Sequence, residues 1–103
     1  MAHKPQTATA EIQSFCDLVK PQVEQKTKKK FEVFHAKSFI TQAVVGTNYF
    51  IKVHVGGDDY LHLKVFKPLM HGEHRLDLQG VQTSKKLDDP ISFFSAVSTW
   101  NTH

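Results

Sequence analysis

The chain has 103 residues, which is the size of one small domain and leaves no room for a second. Hydrophobic residues make up 40% of it and charged residues 22%, a balance typical of a globular protein and not of a disordered one. The net charge of +3 is modest, and its one concentrated run, Lys28 to Lys30, has the character of a solvated helix end. No nucleic-acid-reading motif accompanies that run, so we expect no nucleic-acid partner.

The cellular compartment is indicated by the cysteine content and by the first residues. Cys16 is the single cysteine, so an intrachain disulfide is excluded. The start MAHKPQTATAEIQ lacks the apolar stretch of a signal peptide, and no segment approaches the roughly 20 apolar residues that span a bilayer. These features predict a cytoplasmic protein without membrane contact.

An amphipathic helix is predicted from about Thr9 to about Thr27, with Thr9 as its N-cap. Pro21 removes one helical hydrogen bond, so we expect a kink there. The polar residues 1–7 before the helix are predicted to form a flexible arm. The apolar stripe of the helix consists of Ile12, Phe15, Cys16, Val19 and Val23.

After Lys30 the apolar residues recur with a period near two, which indicates strands. A β-rich stretch ends at Gly46, two strands of one hairpin follow at 49–55 and 61–66, and another strand is predicted near 76–82. The remainder from Thr83 is expected to be irregular. One helix followed by four antiparallel strands predicts an α+β fold, in which the helix packs on the single apolar face of the sheet.

The register of the central hairpin is limited because directly opposed residues share a face of the sheet. One allowed register places Val53 opposite Leu63 and His54 opposite His62, with residues 57–59 as a short loop. The two histidines would then lie on a solvated face.

An enzymatic function finds little support in the sequence. Cys16 is the only candidate thiol nucleophile, but its place on the apolar stripe favours a structural cysteine. No nucleophile elbow, phosphate-binding loop or zinc-protease motif is present. We therefore expect a protein that is not an enzyme and that carries no cofactor.

A metal site would need more than the two imidazoles of His54 and His62. The next opposed pair in that register is Lys52 and Lys64, which would repel a cation. We therefore expect no metal site on the hairpin. A second, equally weak candidate group lies in one loop and consists of His71, Glu73 and His74.

Two apolar turns remain unexplained. Val44 and Val45 precede Gly46 in the first turn, and Leu69 and Met70 lie in the second. The hairpin order allows both turns to emerge at the same end of the sheet. The spacing alone leaves open whether these side chains fold back onto the core or project into solvent.

The stretch QAVVGTNYFIKVHV, followed by YLHLKVF and the loop LMHGEH, resembles the stefins, the type 1 cystatins. The resemblance runs from about Thr9 to Phe94 and includes TAEIQ, KPQVEQKTKKKF, FHAKSF and QTSK. It implies a cystatin-like fold with one N-terminal α-helix packed on a four- to five-stranded antiparallel sheet. Residues 1–94 would form the single domain, and residues 95–103 a C-terminal extension.

The resemblance further implies a reversible, tight-binding inhibitor of papain-like cysteine proteases such as cathepsins. In this family, a wedge made of the N-terminal arm and two hairpin loops fills the protease cleft. The residues carried over to this wedge are Gln42, Ala43, Val44, Val45 and Gly46 in the first loop, Leu69, Met70 and His71 in the second, and, as secondary candidates, His3, Lys4 and Pro5 in the arm.

The chain also departs from the family pattern. Its first loop reads QAVVG where the family typically has QVVAG, no glycine precedes Gly46, and Met70 stands where related stefins have proline. The tail SAVSTWNTH extends past the usual end. A stefin-fold protein-binding or assembly module with weak or lost inhibition therefore stays open as an alternative. We expect a monomer, with hairpin exchange into a domain-swapped dimer as a further alternative.

Overall fold

The computed structural model of the chain describes residues 4–69 and 75–94. One helix packs on a five-stranded antiparallel sheet in which the strands follow their sequence order. This arrangement confirms the predicted α+β architecture. The elements are β1 (Gln6–Thr7), α1 (Ala10–Thr27), β2 (His35–Val44), β3 (Gly46–His54), β4 (Tyr60–Lys67) and β5 (Asp77–Lys85).

The helix begins and ends where the sequence predicts. Thr9 is the N-cap, and its Oγ1 accepts a hydrogen bond from the backbone N–H of Ile12 at 3.2 Å. Lys28 ends the helix in the left-handed conformation with φ of 61°. The helix continues through the exposed Pro21, so the kink expected there stays a prediction. Within residues 4–69 and 75–94, no helix is long and apolar enough to cross a membrane.

One face of the sheet packs against the helix and forms the main core. Alternate residues of β3 and β4 point to this face because side chains alternate along a strand. They meet the buried stripe of the helix, which has the composition that the sequence predicts. The most deeply buried strand residues of this core are Ile51, Val53, Leu63 and Val65.

The register of the central hairpin differs from the expected one by two residues. Val53 opposes Leu61, and His54 opposes Tyr60, so His54 and His62 are not a pair. Odd-numbered residues of β3 still oppose odd-numbered residues of β4, as is required for the apolar side chains to share one face.

The turn of this hairpin accounts for the shift. It occupies residues 55–59, where Val55 N–H donates to the Asp59 carbonyl at 3.0 Å and Asp59 N–H donates to the Gly56 carbonyl at 2.9 Å. Gly56 and Gly57 both have positive φ, of 111° and 54°. Two consecutive glycines allow a longer turn than the predicted three-residue loop.

The second face of the sheet is buried at its centre, which corrects the prediction of a solvated face. The segment 86–94 crosses it, and Ile40, Phe50 and Ile91 form a second buried cluster there. Lys52 and His62, on the same face, are 4% and 0% exposed. A strand with alternating polar residues is therefore not half-solvated when another part of the chain covers its polar side.

The residues before the helix also differ from the flexible arm that the sequence predicts. Gln6 and Thr7 pair with Phe39 and Ser38 of β2, and Ala8 N–H donates to the Lys37 carbonyl at 3.0 Å. The edge of β2 supplies backbone groups that β3 does not pair, so even a polar segment is ordered there by backbone hydrogen bonds.

Candidate functional site

The first apolar turn projects from the sheet and does not fold back onto the core. Val44 opposes Gly46 across the β2–β3 hairpin, so Val45 alone forms its tip. Val45 is 82% exposed and Val44 48% exposed. The structure thereby decides between the two alternatives that the spacing left open.

Gly46 brings the second loop against this tip. Its φ of 110° favours glycine, and a Cβ there would overlap the carbonyl oxygen of Lys67 and lie 3.1 Å from the backbone nitrogen of Leu69. Any side chain at this position would displace the start of the second loop. This close approach places the two apolar turns side by side at one end of the sheet, as predicted. Leu69 is itself 74% exposed.

The base of the tip is fixed by a pair of amide side chains. Asn48 Nδ2 donates to Gln42 Oε1 at 3.0 Å across the hairpin, and Asn48 is 7% exposed. Ala43, one residue nearer the tip, is exposed. Gln42 therefore supports the hairpin, while the next three residues are exposed to solvent.

Asn48 is a residue of the site that the sequence reasoning missed. Positions 42 and 48 lie at equal distances from the turn at Val45, so a tight hairpin must oppose them. Two amide residues placed symmetrically about an apolar turn therefore predict a hydrogen bond across the hairpin, and the sequence contains this pattern.

Residues 4 and 5 are directed to the same end of the sheet. Because β1 runs antiparallel to β2, these two residues before Gln6 lead along β2 towards Val44. Lys4 and Pro5 are exposed there. Three candidate residues, His3, Met70 and His71, lie outside the described residues.

The only thiol is unsuited to nucleophilic chemistry. Cys16 is fully buried, and this burial, with a smaller contribution from the Asp17 charge, raises its pKa to about 12. The reactive thiolate is therefore scarcely populated near neutral pH.

The structure does not support either of the two groups of residues that the sequence offered as metal ligands. His54 and His62 do not oppose each other, and the group His71, Glu73 and His74 lies outside the described residues. In the part of the chain that the structure describes, no three or more His, Cys, Asp or Glu side chains cluster as metal ligands would.

The fold agrees with that of a known family. The family model of the cystatin domain matches residues 2–88. This chain belongs to the cystatin family. The resemblance to the stefins noted in the sequence is thus confirmed.

This cystatin is similar over most of its length to characterised relatives. It is 54% identical over 90 residues to cystatin-B of Oplegnathus fasciatus, a match that covers 87% of this chain and 90% of that protein. It is 52% identical over 89 residues to human cystatin-B, covering 86% and 91% of the two chains. It is 50% identical over 91 residues to leukocyte cysteine proteinase inhibitor 1 of Sus scrofa, covering 88% of each.

The exchange of alanine and valine in the first loop has no consequence for the fold of this cystatin. The side chain of Val45 points into solvent, and Ala43 is exposed as well. Neither side chain contributes to a core, so the order of the two residues affects only what a partner would meet.

Proposed function

We propose that this cystatin is a reversible, tight-binding inhibitor of papain-like cysteine proteases, cathepsins among them, and that it acts in the cytoplasm. The observation that carries the proposal is the apolar edge formed by Val44, Val45 and Leu69 at one end of a well-packed sheet. The class of partner comes from the relatives, one of which is named as a cysteine proteinase inhibitor.

The edge is suited to fill an apolar cleft. Each Å² of apolar surface that leaves water contributes roughly 25 cal/mol, and the three side chains of the edge are largely exposed in the free protein. The hairpin below them is ordered by a continuous ladder and by the Gln42–Asn48 hydrogen bond. Little conformational entropy is then lost on docking.

Inhibition follows from occupancy of the cleft without cleavage. The chain reverses direction at Val45, with Val44 and Gly46 opposed across the hairpin. An extended segment is what a protease cleaves, and the tip offers none to the catalytic thiolate. The enzyme would be blocked while the inhibitor stays intact.

The complete proposed wedge extends beyond these three side chains. It includes Gln42, Ala43 and Gly46 in the first loop, Met70 and His71 in the second, and Lys4 and Pro5, with His3, in the arm. We propose a monomer as the active form. Nothing in the described residues favours the alternative of an assembly module without inhibition.

Titration of papain with this protein and a fluorogenic peptide substrate tests the proposal. The variant Val45→Asp places a charge on the tip, and we expect its inhibition constant to rise about 100-fold, which corresponds to about 2.7 kcal/mol. The matched control is Val33→Asp, which changes another exposed valine before β2 and should inhibit like the unmodified protein.

Circular dichroism should show that both variants keep the fold. The proposal is overturned if the unmodified protein leaves papain fully active at micromolar concentration, or if the two aspartate variants inhibit equally well.

A further inference from the structure

A pair of histidines faces each other at the end of the sheet opposite the apolar edge. His35, the first residue of β2, directly opposes His54, the last residue of β3. Directly opposed side chains share a face of the sheet, with their Cβ atoms about 4.5–5.5 Å apart. The expectation of no metal site concerned a His54–His62 pair flanked by lysines on the β3–β4 hairpin, whereas His35 and His54 oppose each other across the β2–β3 hairpin.

The ring of His54 is held in one orientation. Its Nε2 lies 2.9 Å from the carbonyl oxygen of Gly57, and because a carbonyl only accepts, Nε2 carries the hydrogen. In the neutral ring the lone pair then resides on Nδ1. The ring also packs against Tyr60, with the centroids 4.9 Å apart. Histidines that bind metals are oriented in the same way, by donating their other N–H to a carbonyl or carboxylate.

Charges of both signs lie around the pair, with Lys85 opposite Tyr60 on β5 and acidic residues in the adjacent turn. Asp58 and Asp59 are exposed in the same turn as Gly57. Lys52, the next residue on this face of β3, donates its ammonium to the backbone carbonyls of Lys86 and Asp89, and the same ammonium lies 5.9 Å from the centre of the Tyr60 ring. His35 is exposed, so the pair is open to solvent.

We propose that His35 and Nδ1 of His54 bind a divalent transition-metal ion of the zinc class, with water filling the remaining positions. Imidazole nitrogens are preferred ligands of Zn²⁺, Cu²⁺ and Ni²⁺, and two of them on one strand pair can reach a common ion. With two protein ligands, the site is weaker than a structural zinc site with four. It does not depend on the proposed inhibitory function, since it lies at the other end of the sheet.

Calorimetric titration with Zn²⁺ at pH 7.5 tests the site. The background protein is the full chain with His3→Asn, His71→Asn, His74→Asn and His103→Asn, which keeps only the proposed pair and the buried His62. We expect this protein to bind one equivalent of Zn²⁺. Adding His35→Asn should abolish the binding, because it removes one of two ligands.

A matched control and a second measurement keep the test decisive. Lys37→Asn changes another exposed residue of β2 and should leave Zn²⁺ binding unchanged. Since His35 is exposed, its variant should fold, which circular dichroism checks. In the same background, Ni²⁺ should broaden the amide signals of residues 34–36 and 53–55 before others. Absence of Zn²⁺ binding in the background protein, or binding that survives His35→Asn, overturns the proposal.

Discussion

The two faces of the sheet are both buried, but different interactions bury them. On the helix face, apolar side chains such as Ile51 and Leu63 meet an apolar helix stripe. On the opposite face, Phe50 packs beside Lys52 and His62 beneath the segment 86–94. Alternation of polar and apolar residues therefore identifies a strand, while the rest of the chain decides which of its faces meets water.

The polar groups of the second face are satisfied unequally. The ammonium of Lys52 donates to the backbone carbonyls of Lys86 at 3.0 Å, of Leu87, and of Asp89 at 2.6 Å. Burial lowers its pKa, and the charges of Asp89 and Asp88 oppose that shift. Lys52 thus remains a hydrogen-bonded cation that ties the covering segment to the sheet.

The burial of His62 is compensated much less. Neither of its ring nitrogens has a hydrogen-bond partner among the described residues. Burial, followed by the charges of Lys52 and Lys85, lowers its pKa to about 4, while Gln82, which opposes it on β5, acts in the other direction. The folded protein therefore holds the His62 ring in its neutral form near neutral pH.

The largest expected effect tests whether the second face is a true core. Phe50→Ala should lower the free energy of unfolding by about 3–5 kcal/mol, because Phe50 is fully buried and contacts Phe93 and Phe94. Urea denaturation measures the change. Ile51→Ala on the helix face is the matched comparison and should cost about 2–5 kcal/mol. A change within about 0.5 kcal/mol for Phe50→Ala would show that this face is solvated after all.

A smaller effect should appear on acidification. The unfolded chain binds a proton at His62 near the ordinary pKa of 6.5, whereas the folded chain binds it only near 4. The stability contributed by the neutral ring is therefore present above pH 6.5 and is lost as the pH falls towards 4, by up to about 3 kcal/mol.

Urea denaturation of the unmodified protein and of His62→Leu at several pH values measures this loss. Since other groups titrate in both proteins, the difference between them isolates His62. We expect His62→Leu to lose less stability between pH 6.5 and 4. Parallel curves for the two proteins would contradict the origin assigned to the acid sensitivity.

The smallest expected effect concerns the link between the covering segment and the sheet. Lys52→Met keeps the aliphatic stem but removes the charged donor, and should cost about 2 kcal/mol, within the range of hydrogen bonds to charged groups. Hydrogen exchange should accelerate at the amides of residues 86–89 and of Ile91 in particular. Lys64→Met, on the same face but without these carbonyl contacts, serves as the control; equal exchange in the two variants would argue against the link.

The candidate site was largely predictable from local sequence. Val44, Val45 and Gly46 mark a hairpin turn, and strand order places Leu69 at the same end of the sheet. The close approach of Gly46 to Leu69 was not predictable, because it depends on how two loops distant in sequence pack together. The residue types allowed a projecting tip, and only the packing of the hairpin showed that it projects.

The sequence by itself determined the helix from its N-cap to its C-terminus, the strands, the parity of their pairing and the family. These features depend on period, capping and turn residues, which act over a few neighbouring positions. Only contacts between separate elements establish the pairing of Gln6 and Thr7 with β2 and the burial of Lys52 and His62. Each of these depends on contacts between distant segments, whose free energies exceed the local preferences of the residues involved.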